Sequence, residues 1–161
     1  MNDFWQRARI DNGEIKDGET RYVMFRADVI AAMIKDLPAG VKQQVLESFR
    51  AAVQKNGGRS LENYLGMVGG NHAALLDMLV STAAALGWGE WHFDFAENHL
   101  TLQVNNSPFA EFTSEANNGC CAPILGMFSA LAETLLNGAQ VKEVSCVSLG
   151  ADHCRFEASP A

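Results

Sequence analysis

Apolar residues recur at helical spacing through the first half of the chain and at strand spacing through much of the second. Val29, Ala32, Met33 and Leu37 run from Asp28 to Pro38, which predicts a helix opened by Asp28. Val41, Val45, Phe49 and Val53 mark a second amphipathic helix, expected to stop at Asn56-Gly57-Gly58. Leu61, Tyr64, Leu65 and Val68 predict a short third. Asn71 is placed to cap a fourth, apolar at Leu75, Leu76, Leu79, Val80 and Ala83 and ending near Gly87. Ahead of these helices, Asp11-Asn12-Gly13 and Asp17-Gly18 bracket a turn-rich leader, and Tyr22-Val23-Met24-Phe25 reads as a short extended segment.

The period then falls to two. Trp91, Phe93 and Phe95 share one face of a strand and Glu90, His92 and Asp94 the other, while Leu100, Leu102 and Val104 answer across a turn at 96–99. A helix follows from about Cys120, apolar at Ile124, Leu125, Phe128, Leu131 and Leu135 and closed by Asn137-Gly138. A final hairpin runs from Val141 to Phe156. Helices first, then two hairpins separated by a helix, predict an α+β domain with a mainly antiparallel sheet and helices packed on one side. The chain shows no internal repeat. Gly57-Gly58, Gly69-Gly70 and the polar stretch 111–119 are too short to join separate domains, so residues 1–161 read as one domain.

Composition narrows the partners. The 161 residues are 48% hydrophobic, enough for a substantial core. A net charge of −7 argues against a nucleic-acid surface, which needs clustered Lys and Arg, and against attraction to a membrane surface. The start at Met1-Asn2-Asp3-Phe4-Trp5 resembles no secretory signal, and the apolar stretch Ala122–Leu136 is interrupted by Ser129, Glu133 and Thr134 and is too short to span a bilayer. A cytoplasmic location is expected. In that reducing compartment, four cysteines favour metal over disulfides.

The chemistry concentrates in the last third, where Cys120, Glu143, Cys146 and Cys154 surround the helix and hairpin. A hairpin turning around Gly150 sets Cys146 opposite Cys154, with Cβ atoms about 4.5–5.5 Å apart, close enough for two thiolates to share a tetrahedral ion. Glu143 is three residues from Cys146, so alternation sends the two to opposite faces unless the strand twists, bulges or frays between them. Cys120 falls at a helix start, where backbone N–H groups stabilise a thiolate. Three sulfurs and a carboxylate fill four positions, the pattern of a structural zinc. Buried apolar cysteines, or a Cys146–Cys154 disulfide, also fit the spacing.

These residues carry a resemblance. From Asn106-Ser107-Pro108-Phe109-Ala110-Glu111, through Cys120, Gly126 and Lys142-Glu143-Val144-Ser145-Cys146, to His153-Cys154-Arg155-Phe156, the chain resembles a 4-vinyl reductase domain, related to the sensory modules of phenol- and xylene-responsive activators. The resemblance spans about 85–158 and is fainter before that, where Arg21–Asp28 is similar to the lead into the modules' first helix. It implies zinc held by Cys120, Glu143, Cys146 and Cys154 in a C-terminal lobe of about 105–158, with Cys121 as a spare thiol. It also implies a homodimer paired through the N-terminal part, about 1–60.

The resemblance further implies a small hydrophobic or aromatic molecule in an apolar pocket. Trp88, Trp91, Phe93, Phe109 and Phe112 are the candidate walls, and His72, near the start of an apolar helix, is the candidate polar handle. Phe95 belongs to the same aromatic set. Rings alternating along a strand also serve as plain sheet core. His92 falls on the polar strand face, His99 in a turn, and alternation points His153 away from Cys154.

No phosphate-loop pattern and no basic recognition helix occur, so the chain is expected to be a free-standing sensor or carrier signalling through a protein partner, or a sensory fragment. An accessory or reductase role in vinyl reduction of tetrapyrroles is the alternative the family name implies, but no Gly-x-Gly-x-x-Gly pattern is present to supply hydride. The zinc-deaminase signature is also missing. A third class is a structural subunit of transport-complex type, and Met24, Met33, Met67, Met78 and Met127 would suit an adaptable apolar cavity. The expected function is ligand binding without catalysis.

Overall fold

The structure, a computed structural model, describes residues 4–96, 98–112, 121–136 and 138–160. After a single helical turn, α1 (Phe4–Arg7), the leader is a three-stranded antiparallel meander of β1 (Arg9–Asp11), β2 (Glu14–Asp17) and β3 (Thr20–Tyr22). Asn12 and Gly13 take φ of 48° and 77°, so this pair closes β1 onto β2 in a two-residue turn that needs left-handed backbone at both positions. Strands of three and four residues are too short to show alternation, which is why sequence revealed only the turns. The extended segment ends earlier than expected: β3 stops at Tyr22, and Val23, Met24 and Phe25 follow as exposed coil.

Helix α2 (Ala27–Lys35) forms where the pattern put it but buries a different face. Ala31 and Ile34 point inward, whereas Val29 and Met33 are 54% and 62% exposed. The contacts of α2 with the turn at 108–112 and with the next helix select the inward face.

That next helix departs further from expectation. Helix α3 (Ala39–Met67) passes through Gly57-Gly58 without a break and absorbs the predicted third helix. The glycines are there for packing. α3 lies against α5 (Ala122–Leu136), and a Cβ on Gly57 would come within 2.7 Å of the Met127 sulfur, while one on Gly126 would meet the Arg50 carbonyl at 2.3 Å. Gly69 and Gly70, both in left-handed conformation, end α3, and Asn71 then caps α4 (His72–Ala85) by accepting from the Ala74 N–H at 3.1 Å.

The second sheet joins β4 (Glu90–Ala96), β5 (His99–Asn105), β6 (Ala139–Ser145) and β7 (Cys154–Pro160) in the antiparallel order β4-β5-β7-β6. Leu100, Leu102, Val104, Cys154, Phe156 and Ala158 form its buried face, toward α5. The opposite face is polar, with Glu157 accepting from Lys142 and Arg155 at 3.3 Å each. An α+β fold with antiparallel sheets is therefore observed, with two sheets where sequence suggested one.

Candidate metal centre and apolar cavity

Cys121, Glu143, Cys146 and Cys154 converge under α5, with their potential ligand atoms all within 4.8 Å of one another. Two features of the backbone bring them together. The β6–β7 register shifts by one between Glu143 and Ser145, because Glu143 faces Phe156 and Ser145 faces Arg155, leaving Val144 as an extra residue. That bulge is the irregularity that the Glu143–Cys146 spacing demanded, and it turns both side chains to one face. Beyond β6, the turn through Val147–Leu149 and Gly150 folds back on Cys146, whose carbonyl accepts from Leu149 and Ala151.

The helix supplies the remaining thiol. Cys121 is the residue at the α5 N-terminus, its carbonyl accepting from the Leu125 N–H at 2.9 Å. Its sulfur is 3.3 Å from that of Cys154, which lies 3.7 Å from that of Cys146. Two Zn–S bonds of about 2.3 Å at a tetrahedral angle hold sulfurs about 3.8 Å apart, close to these separations. Cys121, set aside as a spare thiol on the sequence, thus sits inside the cluster, since the turn into α5 aims it at the strands. Cys120 lies outside the described residues. All three described cysteines are buried thiols, so the Cys146–Cys154 disulfide is not formed.

Electrostatics show what the cluster lacks. Burial, followed by repulsion from Cys146, pushes the Glu143 carboxyl up to about 8, and its Oε1 is buried with no hydrogen-bond partner among the described residues. At Cys154 the hydrogen bond with Cys121 pulls downward. The Cys146 contact and burial outweigh it and push the thiol up to about 12. Charged ligand groups forced to hold protons, and an orphaned carboxylate oxygen, describe a site short of positive charge. A divalent cation fits this donor set. The hydroxyls of Ser107 and Ser148 lie 3.2 Å from the Cys121 and Cys146 sulfurs, placed to support thiolates.

A cavity of about 340 Å³ opens between α3, α4 and β3. Phe49, Val53, Gly57, Ser60 and Tyr64 form one stripe of α3 along it, and Leu79, Leu86, Trp88, Trp91 and Met127 complete the apolar wall. A second cavity of about 310 Å³ shares Tyr22, Phe49, Leu86 and Trp88 with the first and reaches Phe109, Phe112 and the exposed Val23–Phe25 segment. Trp88, Phe109 and Phe112 stack edge to face, with centroids 5.0 and 5.3 Å apart. The Trp91 indole N–H donates to the Trp88 carbonyl at 3.1 Å, leaving that ring as an apolar surface.

Of the residues singled out for a ligand, Trp88 and Trp91 line the first cavity and Phe109 and Phe112 the second. Phe93 packs on Trp91 at 5.8 Å and lines neither. His72 also lines neither, because it is exposed at the first residue of α4. His92 and His99 are exposed as well, and His153 stays outside the metal cluster.

Polar groups at the first cavity come instead from residues sequence reading passed over. Tyr22, Tyr64 and Thr82 line it, backed by the buried Asp17. Arg7 donates to Asp17 Oδ2 through Nη2 at 3.2 Å and Nε at 3.4 Å, and to Thr82 Oγ1 at 3.5 Å. The Tyr64 hydroxyl donates to the same Asp17 oxygen at 3.4 Å and lies 3.5 Å from the Tyr22 hydroxyl. The only sequence signal was an acidic residue and two tyrosines beside turns.

Residues 100–160 match the family model of the vinyl-4-reductase domain, which bears out the resemblance read from the sequence. No curated protein matches the chain. Among solved structures, the phenol-responsive sensory domain of the transcription activator PoxR, with phenol, is similar with a TM-score of 0.81 at 20% identity, over 98% of this chain and 86% of that one. A vinyl-4-reductase family protein from Methanocaldococcus jannaschii gives 0.52 at 16% identity, over 86% and 98%. A trafficking protein particle complex subunit 3 from Naegleria fowleri, covalently bound to palmitic acid, gives 0.54 at 11%, over 83% and 93%. These likenesses establish a shared fold.

Proposed function

We propose that the chain is a zinc-stabilised sensor or carrier domain for a small hydrophobic or aromatic molecule, without catalysis of its own. The observation that carries this reading is the 340 Å³ cavity, walled by Trp88, Trp91, Phe49 and Leu79 and polar at one end. A pocket largely apolar with a few convergent polar groups suits a ligand of single-ring size. The likeness to a phenol-responsive domain supports the same assignment.

Zinc is held by Glu143, Cys146, Cys154 and one thiol of the Cys120-Cys121 pair, with the geometry favouring Cys121. Four protein ligands leave no open position, so the ion braces α5 against the β6–β7 hairpin. Val23, Met24, Phe25, Val29 and Met33, each more than half exposed, form the apolar surface through which a homodimer pairs. A protein partner receives the signal, and the location is cytoplasmic. No helix among the described residues is long and apolar enough to cross a membrane.

Native mass spectrometry of freshly purified, reduced protein tests the reading. One zinc per chain, a dimer mass and a retained small organic molecule are expected. A metal-free monomer that takes up no aromatic compound overturns it.

A further inference from the structure

The polar end of the first cavity has a direction. Asp17 is buried, and the groups bonded to its Oδ2 are donors from Arg7 and Tyr64. A tyrosine hydroxyl has one hydrogen to give. Tyr64 gives its hydrogen to Asp17, so in the Tyr22–Tyr64 contact Tyr22 must be the donor. Its own oxygen is then left with lone pairs only. Thr82, which accepts from Arg7, has the opposite character and keeps its hydroxyl hydrogen to give.

From this we propose, building on the ligand-binding reading above, that the Arg7–Asp17–Tyr64–Tyr22 chain makes Tyr22 an obligate acceptor. It selects neutral ligands that bring a hydrogen-bond donor to it, such as a hydroxyl or amide N–H, over hydrocarbons, ethers and carboxylates. A hydroxyl suits both groups, since it can donate to Tyr22 and accept from Thr82. An ether offers Tyr22 nothing, and a carboxylate sets its charge against lone pairs and the buried Asp17. Burial, with the Tyr64 hydrogen bond second, raises the Tyr22 hydroxyl well above the ordinary tyrosine range, so it stays neutral and the direction holds at any physiological pH. The Arg7 guanidinium, 5.4 Å above the Tyr64 ring, fixes that ring from behind.

The test is titration of the zinc-loaded protein with phenol, toluene, anisole and benzoate, followed by calorimetry and by fluorescence of Trp88 and Trp91. Phenol is expected to bind about tenfold more tightly than toluene or anisole, the scale of one buried hydrogen bond, and benzoate more weakly than all three. Tyr22→Phe should bring phenol down to the level of toluene and leave toluene unchanged. Tyr64→Phe frees the Tyr22 hydrogen to turn into the cavity, so anisole should gain on phenol. Equal affinity for phenol, toluene and anisole in the unmodified protein, or an unchanged preference in Tyr22→Phe, overturns the acceptor assignment while leaving a ligand-binding domain. Binding of none of the four overturns both.

Discussion

A thiol at the start of a helix feels both backbone N–H groups and the helix dipole, so adjacent cysteines there are not equivalent. Cys121 has its sulfur 3.3 Å from Cys154. Cys121→Ser is therefore expected to lose stoichiometric zinc and to melt markedly lower, while Cys120→Ser keeps its zinc, both read by metal analysis beside a melting curve. The reverse result would hand the ligand position to Cys120.

Glu143 makes a second prediction at the same scale. Its carboxyl titrates near 8 in the folded, metal-free protein against 4.5 ordinarily. The folded state favours the proton, so this contribution to stability is complete below 4.5 and is lost as pH rises through 8. Chelator-treated protein should melt lower at about pH 8.5 than at about pH 5. Glu143→Gln should flatten that dependence, and zinc should abolish it by replacing the proton as the neutralising charge. A metal-free melting temperature that does not fall over this range would falsify the assignment.

Among elements, the α3–α5 contact is the one least able to adjust. Because a Cβ on Gly126 meets backbone rather than a movable side chain, Gly126→Ala should force the helices apart and cost about 3 kcal/mol. Urea unfolding measures it, and Gly40→Ala, at a position open to solvent, is the control. This contact also explains where sequence misled. A Gly-Gly pair reads as a helix stop when only local propensity is visible, since each glycine costs a helix about 1 kcal/mol. Here α5, far along the chain, supplies the reason for it. The exposed Val29–Met33 stripe has the same origin, because periodicity finds an apolar face but not which neighbour will claim it. What depended on short range was legible: the Asn71 cap, the two long hairpins, and the need for an irregularity between Glu143 and Cys146. The cavity's polar end was not, because Arg7, Asp17, Tyr64 and Thr82 meet across up to 75 residues of chain.

At the scale of the whole molecule, α3 and α5 tie the two candidate sites into one frame. Cys121 stands at the head of α5 and Met127, less than two turns on, lines the cavity. The 29 residues of α3 extend about 43 Å, and one stripe of them faces the ligand space. Had the chain broken at Gly57-Gly58, a ligand pressing on that wall would have flexed a joint and the disturbance would have ended there. An unbroken rod behaves as a lever. Hydrogen exchange with and without phenol should then show amides at both ends of α3 slowing together, including those near Ala39 that touch no ligand. Protection confined to residues 49–64 would mean that the occupant is felt only where it sits.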